Sequence, residues 1–421
     1  MTLILIFMIP WEGGFEFSGL GKLAKAMGFG VGVLWLASIL FTKRVRRPGL
    51  FHLLLSLFVC WNALSILWTS DPNRTMTQIA TWVQLLILAF IIWDLCNTRE
   101  SLLTGLQVYI LGSFFAIGSA IANYVAGDPF YTNYERFSPG NMHPDAFGFI
   151  LALGIPVAWY LSNTKRDTKW NSLLRIINYT YIPMSFLGIA LSGTRAALIA
   201  SLPGMAFGLL SLNRIRLWKR GVIFLILIFV IILMFPHVQA LESFQRFGTI
   251  SSELSEGDLS SRTIIWREGL ETFVVNPLLG VGSNMFRTVN SLGKVAHNTF
   301  ISVLVEVGLV GFTLFGLILL VAFTKALGHP KWDARFWLTI LLVWAIGALT
   351  LTWENKKATW LFLSLAISSH AIFRQQIERT AAVLSNRFTG TLNPMSRRPS
   401  PASFPFQSDP VIPRDLLEST E

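Results

Sequence analysis

Charge and cysteine are what this sequence lacks. Of its 421 residues only 14% are charged, against 53% hydrophobic, which is too little charge to clothe a water-soluble domain of that length. Cys60 and Cys96 are the only cysteines. Two thiols in or at the end of apolar runs make neither a disulfide framework nor a metal set, and both are expected as buried small residues. The six histidines include no His-x-x-x-His pair, the acids no Asp-x-Asp, and the glycines no Walker loop. Metal-assisted and nucleotide-driven chemistry therefore have no support in the sequence, and no cofactor is expected. No repeat with a period of about 20–50 residues is visible and the two halves are not copies, which counts against repeat-built transporter folds.

What is present is a succession of apolar runs long enough to cross a bilayer as helices. They predict an all-α, polytopic transmembrane bundle of about twelve spans, at roughly 1–11, 27–42, 50–69, 77–96, 102–125, 145–162, 174–191, 195–212, 219–236, 298–323, 334–352 and 357–373. Residues 1–375 read as one transmembrane domain with a large loop at 237–297 between the ninth and tenth spans. Past Arg374 the apolar pattern stops, and 376–421, rich in Ser, Pro, Thr and Arg, is expected as a disordered tail.

The net charge of +11 belongs to this topology. Alternate loops, from Lys43–Arg47 through Arg99, Lys165–Arg175, Arg214–Arg220 and Lys325–Arg335 to the tail, hold 22 of the 34 Lys and Arg, and the other side holds 12. The basic side is cytoplasmic by the positive-inside rule. The excess is thus an orientation signal and a contact for anionic lipids, not a nucleic-acid footprint. The first segment, Met1–Trp11, is short and lacks the basic start of a signal peptide, but the parity set by Arg44–Arg47 leaves residues 12–26 outside whether or not it crosses.

On the outer side each arginine needs a reason. Three short loops read WTSDPNR (68–74), GDPFYTNYERFSPGNMHPD (127–145) and SGTR (192–195), and the large loop adds Arg246, Arg262, Arg267, Arg287 and Lys294. Arginine forks suit a polyanionic ligand, while snorkelling and solvation are the structural alternative for any one of them. Ser260 or Ser261 can cap a helix running to Val275, with Trp266, Leu270, Phe273 and Val274 as its apolar stripe and Asn276-Pro277 as its stop. In that helix Arg267 is set to pair with Glu271 four residues on. Gly280-Val281-Gly282 reads as a turn more readily than as an anion nest, and the acids Glu253, Glu256 and Asp258 as a solvated loop.

His297 is the sharpest residue. It opens the span that follows the large loop, so it lies at the outer surface, where it is either a polar cap or a general base with a pKa near 6.5. Asn298 beside it could orient a sugar or the ring. Glu306, nine residues on and about 13 Å deeper, reads as a structural partner inside the bundle before it reads as a functional acid.

SRTxIWxxGLxxFxxNPLLGVG (from Ser261), a variable stretch, then HNTFISVLVEVGLVGF (from His297) resemble the O-antigen ligase and polymerase superfamily, as do SGTRAALIA and RFSPGNMHPDAFGFILALGIPVAW. That superfamily includes lipopolysaccharide O-antigen ligases, O-antigen and exopolysaccharide polymerases, and related protein-glycosylating enzymes. The resemblance runs from about Trp61 to Phe315; one departure is His143-Pro144-Asp145, where relatives more often have Asn after the proline. It implies a GT-C-type, metal-independent, inverting membrane glycosyltransferase on the periplasmic face of a bacterial inner membrane. The donor would be a glycan on undecaprenyl diphosphate, and the acceptor a lipid A-core, as in a ligase, or another glycan, as in a polymerase. The loop motifs match the ligase label best. By the same resemblance the diphosphate-binding arginines fall on Arg195 and Arg262 and the essential histidine on His297. A transporter or flippase for the lipid-linked glycan is the reading from a different class.

Overall fold

A computed structural model of the chain describes residues 2–14, 16–17, 21–131, 135–212, 221, 225 and 262–391. Outside the described residues lie the ninth expected span apart from two positions, the large loop before Arg262 with its acidic cluster and Ser260/Ser261 cap, and the tail from 392.

The described chain is helical apart from a two-residue antiparallel ladder, Glu16–Phe17 with Gly21–Lys22. Its helices are α1 (Thr2–Met8), α2 (Leu23–Thr42), α3 (Leu50–Leu64), α4 (Pro72–Leu95), α5 (Arg99–Ala126), α6 (Pro144–Asn163), α7 (Asn171–Ser192), α8 (Arg195–Leu210), α9 (Arg262–Val275), α10 (Thr299–Leu327), α11 (Lys331–Thr350) and α12 (Lys357–Thr391). Among the described residues seven helices are long and apolar enough to cross a membrane, and three apolar ones are shorter. The chain is a polytopic helical membrane protein.

The first segment keeps its expected bounds, and one later boundary differs from the sequence reading. The first apolar segment is a helix of only about ten residues with its short extension to Trp11, roughly 15 Å long against a hydrocarbon core of about 30 Å. α12 continues as a helix to Thr391, well past the point where its apolar pattern ends. Cys96 is buried as expected, but Cys60 is exposed, because α3 turns Phe58, Val59 and Asn62 inward and Cys60 away.

α6 is the central helix, buried along nearly its whole length against α5, α7, α8 and α11. Close approach depends on its small residues: a β-carbon at Gly154 would stand 2.1 Å from the Tyr181 hydroxyl. Tyr181 and Tyr109 donate to the carbonyls of Leu151 and Ile150, so their buried phenols are satisfied.

α10 is not the continuous helix its apolar run suggests. It breaks at Gly308, which has φ 65° and ψ −170°. A break within the membrane frees backbone groups that lipid cannot satisfy. The segment after α9 satisfies them: Val281 and Gly282 donate to the carbonyls of Val305 and Glu306, and the amides of Leu309 and Val310 donate to Pro277 and Leu278. Trp61 Nε1 takes the carbonyl of Val307 at 2.9 Å. NPLLGVG and EVGLVG are therefore two halves of one joint. Gly280 and Gly308 have positive φ there, and a β-carbon on either would lie within 2.5 Å of opposing backbone.

The loops sort into two ends as the charge parity requires. At one end Glu12 meets Lys357, Ser283 meets Ser65, and Thr194 meets Pro144. At the other, Arg46 meets Asp94, Arg99 and Tyr160 meet Asp333, and His329 meets Ser369. The first is called outer and the second inner below, following the positive-inside orientation.

Candidate active site

The outer end is assembled from four loops and α9. Arg136 joins the first two. It is 6% exposed; its Nε donates to the Ser192 carbonyl at 2.6 Å, and its Nη2 donates to Thr194 Oγ1 at 3.0 Å and to the Asp145 carboxylate. Thr194 in turn contacts Asp145 at 3.2 Å. A buried arginine is tolerated because each of these bonds lands on a carboxylate, a hydroxyl or a carbonyl. The acid after Pro144 is what Arg136 needs, which explains Asp145 at the position where the resemblance favours Asn. Arg195 follows Thr194 directly as the first residue of α8.

His143 caps α6 and accepts from the Asp145 amide through Nδ1 at 3.2 Å. Its neutral ring then carries the proton on Nε2, facing Tyr131 Oη at 2.9 Å. Burial, with Arg136 and Lys356 assisting, holds its pKa below the ordinary histidine value against the pull of Asp145.

His297 stands at φ 48°, in the left-handed region that non-glycine residues seldom occupy. Its backbone amide donates to Thr352 Oγ1 at 3.1 Å, while its Nδ1 is buried and makes no hydrogen bond among the described residues. Burial and then the charge of Arg262 push its pKa down to about 4; Asp145 opposes, and His143 and Lys294 add to the lowering. At neutral pH the imidazole is thus uncharged and able to accept a proton.

α9 fixes Arg262 relative to His297. Its N-terminal residue is Arg262, and one turn later Trp266 Nε1 donates to the carbonyl of Ala296, the residue before His297, at 2.6 Å. The buried face of α9 is Ile265 and Gly269, packed with Phe286, Ala296 and Val305. Trp266 and Phe273 flank that face, but Leu270 and Val274 of the expected stripe are exposed, since the narrow contact with α10 rotates the helix toward Ile265. Arg267 pairs with Glu271 at 2.9 Å on the exposed side, as its spacing requires. Glu306 holds the following turn, accepting from the amides of Asn284 at 2.8 Å and Phe286 at 3.2 Å. It is a structural partner.

Asn298 does not face a substrate with its oxygen. Its Oδ1 caps α10 through the amides of Phe300 and Ile301, and its Nδ2 donates to the Leu349 carbonyl at 3.2 Å. An Asn immediately before an apolar helix is strongly favoured as a cap, and that demand takes the side chain here. The Gly280–Gly282 amides are likewise all engaged within the protein, so the turn reading holds and no anion nest forms.

The turn between α11 and α12 was invisible as a site element in the sequence. Leu351 O accepts from Thr299 Oγ1, which itself accepts from Trp353 N, so the turn is stitched to the start of α10. Glu354 in this turn is 4% exposed; Ser302 donates to one oxygen, and burial raises its carboxyl to about 7. The same turn lines a cavity of about 380 Å³ bounded by Trp353, Asn355, Lys356, His143, Gln78 and Gln84. His143 links this cavity electrostatically to His297.

Residues 181–316, which carry Arg195, Arg262, His297 and both halves of the Gly308 joint, match the O-antigen ligase family. The exopolysaccharide production protein ExoQ of Rhizobium meliloti (strain 1021) is 23% identical over 312 residues, covering 69% of each chain. Both similarities point to the O-antigen ligase and polymerase superfamily. Of the residues to which that superfamily resemblance gives chemistry, the structure brings Arg262 and His297 within electrostatic reach of each other. Arg195 follows Thr194, whose hydroxyl contacts Asp145, and it is not among the charges that act on His297. Within the matched segment, NPLLGVG and EVGLVG build the Gly308 joint.

Proposed function

We propose that the chain is a membrane glycosyltransferase that moves a glycan from undecaprenyl diphosphate to an acceptor hydroxyl at the outer, periplasmic face of a bacterial inner membrane. The observation that carries this reading is His297: a neutral histidine in a strained left-handed conformation, with a buried ring nitrogen and Arg262 tied one hydrogen bond away through Trp266.

In this scheme the acceptor hydroxyl attacks the anomeric carbon as His297 takes its proton. The anomeric C–O bond breaks, and its electron pair leaves with undecaprenyl diphosphate, giving inversion in a single displacement. Negative charge develops on the departing phosphate oxygen, and Arg262 and Arg195 are the cations assigned in this scheme to stabilise it without a metal. Donor binding also tunes the base. The positive charge of Arg262 and Lys294 disfavours the imidazolium, so a diphosphate that offsets this charge raises the proton affinity of His297 when the base is needed.

The acceptor divides the reading. Loop motifs favour a fixed acceptor such as lipid A-core, that is, a ligase. A polymerase, whose acceptor is another repeat unit, is supported by the relative named for exopolysaccharide production. Protein purified into lipid and given only an undecaprenyl-diphosphate-linked repeat unit distinguishes them by product size. A ladder of lengthening lipid-linked chains identifies a polymerase, and product only on adding lipid A-core identifies a ligase. No product under either condition overturns the transferase and favours a transporter for the same lipid-linked glycan.

A further inference from the structure

The basic residues of the inner end are not spread evenly: several converge on one groove of about 820 Å³. Lys43, Arg44 and Arg46 enter it from the connection between α2 and α3, Arg99 from the first residue of α5, and Arg379 from α12. Among the described residues Asp94 is the only acid lining it, and it is already engaged by Trp35 Nε1 at 3.0 Å and the Arg46 amide at 2.9 Å. Arg46 is preorganised. Its guanidinium lies 3.7 Å over the Trp93 ring, Nη1 donates to the Trp93 carbonyl, and Nη2 is buried without an acceptor among the described residues. Asn97 and Thr98 bring the N-terminus of α5 to the same wall, adding its positive dipole end.

Apolar residues adjoin the lining residues along the chain: exposed Val45 lines the groove, and exposed Leu40 and Phe41 precede Lys43, Leu95 follows Asp94 and Ile377 follows Gln376. These positions mark where the apolar stretches of α2, α4 and α12 give way to the basic loops, which is headgroup depth in a bilayer. A soluble anion would use the cations and leave the apolar border in water; a lipid uses both. One diester phosphate carries about one negative charge, too little for Lys43, Arg44, Arg46 and Arg379, even with Arg99 set against Asp333.

We propose that this groove binds the headgroup of an anionic phospholipid bearing two phosphates, of the cardiolipin class, with its acyl chains on the exposed apolar border. The site is independent of the chemistry at the other end.

The test is thermal unfolding of the purified full-length protein in detergent, followed by tryptophan fluorescence, while titrating cardiolipin, phosphatidylglycerol, phosphatidylcholine or inorganic diphosphate. Cardiolipin is expected to raise the midpoint at concentrations at least tenfold below those phosphatidylglycerol needs, with phosphatidylcholine and diphosphate without effect. Arg44→Gln with Arg379→Gln should weaken the cardiolipin effect at least tenfold. Lys331→Gln with Arg335→Gln, an equal loss of charge on the inner side outside the groove, should leave it unchanged. All four residues are exposed, so both variants should fold. Equal loss in the two variants would reduce the effect to general attraction and overturn the site. No preference of the wild-type protein for cardiolipin would overturn it too, and an equal shift with inorganic diphosphate would replace the lipid by a soluble ligand.

Discussion

Arginine is used in opposite ways at the two ends of this bundle. At the inner end cations are many and mostly solvated: Arg374, paired with Glu378 at 3.7 Å, is about two-thirds exposed. At the outer end they are fewer, and those in the site are held. Arg136 is buried with partners on three sides, and Arg262 heads a helix that is hydrogen-bonded to the residue before His297. Orientation in a membrane depends on how many cations a side carries, so individual ones are replaceable. Chemistry depends on where a single charge points, and that requires burial and partners. The end with less positive charge is therefore the better candidate for catalysis.

The comparison is most exposed at His297. His297→Ala should lower glycan transfer roughly 10²–10⁴-fold, the usual span for a lost general base. His297→Gly should lose as much activity while melting at or above the wild-type temperature, because a glycine relieves a left-handed conformation that costs other residues about 1 kcal/mol. An active glycine variant would move the base elsewhere. Next in size is the contrast between arginines. Arg136→Gln leaves Asp145 without its buried partner and should cost about 3–5 kcal/mol, whereas Arg374→Gln should fall within about 0.5 kcal/mol. Similar melting temperatures for the two variants would erase the distinction between the ends.

Glu354 gives a smaller, pH-dependent effect. Burial raises its carboxyl from 4.5 to about 7 in the folded protein. Its contribution to stability is thus complete below about pH 4.5 and is lost as pH rises through 7. Glu354→Gln should be more stable than wild type at pH 8, by on the order of 3 kcal/mol, and equal to it at pH 4.5; a difference that ignores pH would show that the ionised acid is accommodated. The finest test concerns the base. His297 must be neutral to act, so kcat/KM should stay flat as pH falls past 6.5 and decline only near 4. In Arg262→Gln that decline should move to higher pH, since a cation that disfavours the imidazolium is gone; an unmoved profile would separate Arg262 from His297.

Much of this was legible before the fold. Helix positions, the two-sided sorting of loops and the α9 helix with its Arg267–Glu271 pair came from apolar run length, charge parity and residue spacing, whereas Arg195, Arg262 and His297 were singled out together by the family resemblance. What misled was residue type without partner. Asn298 was expected to orient a sugar or the ring, and its Oδ1 caps α10, a use of the amide that only the neighbouring backbone shows. Gly308 lay unremarked in an apolar run, since a broken helix and a whole one have the same hydropathy. The partner segment that makes the break possible is more than twenty residues earlier. Arg136 was hidden for the same reason: its acid is near in sequence, but the Ser192–Thr194 turn that completes its burial is not.

The sequence by itself determined that this chain is a membrane helical bundle, which loops share a side, and which few polar residues stand where chemistry is possible. Those properties are sums over local residues: apolar length per span, charge per loop, a motif at fixed spacing. Tertiary structure alone decided that His297 is held in a left-handed conformation within electrostatic reach of Arg262, that Glu306 and Asn298 bond to the backbone, and that the turn between the last two helices is stitched to the start of α10. Burial, electrostatic reach and hydrogen-bond satisfaction are relations between segments distant in the chain, and they exist only once those segments meet.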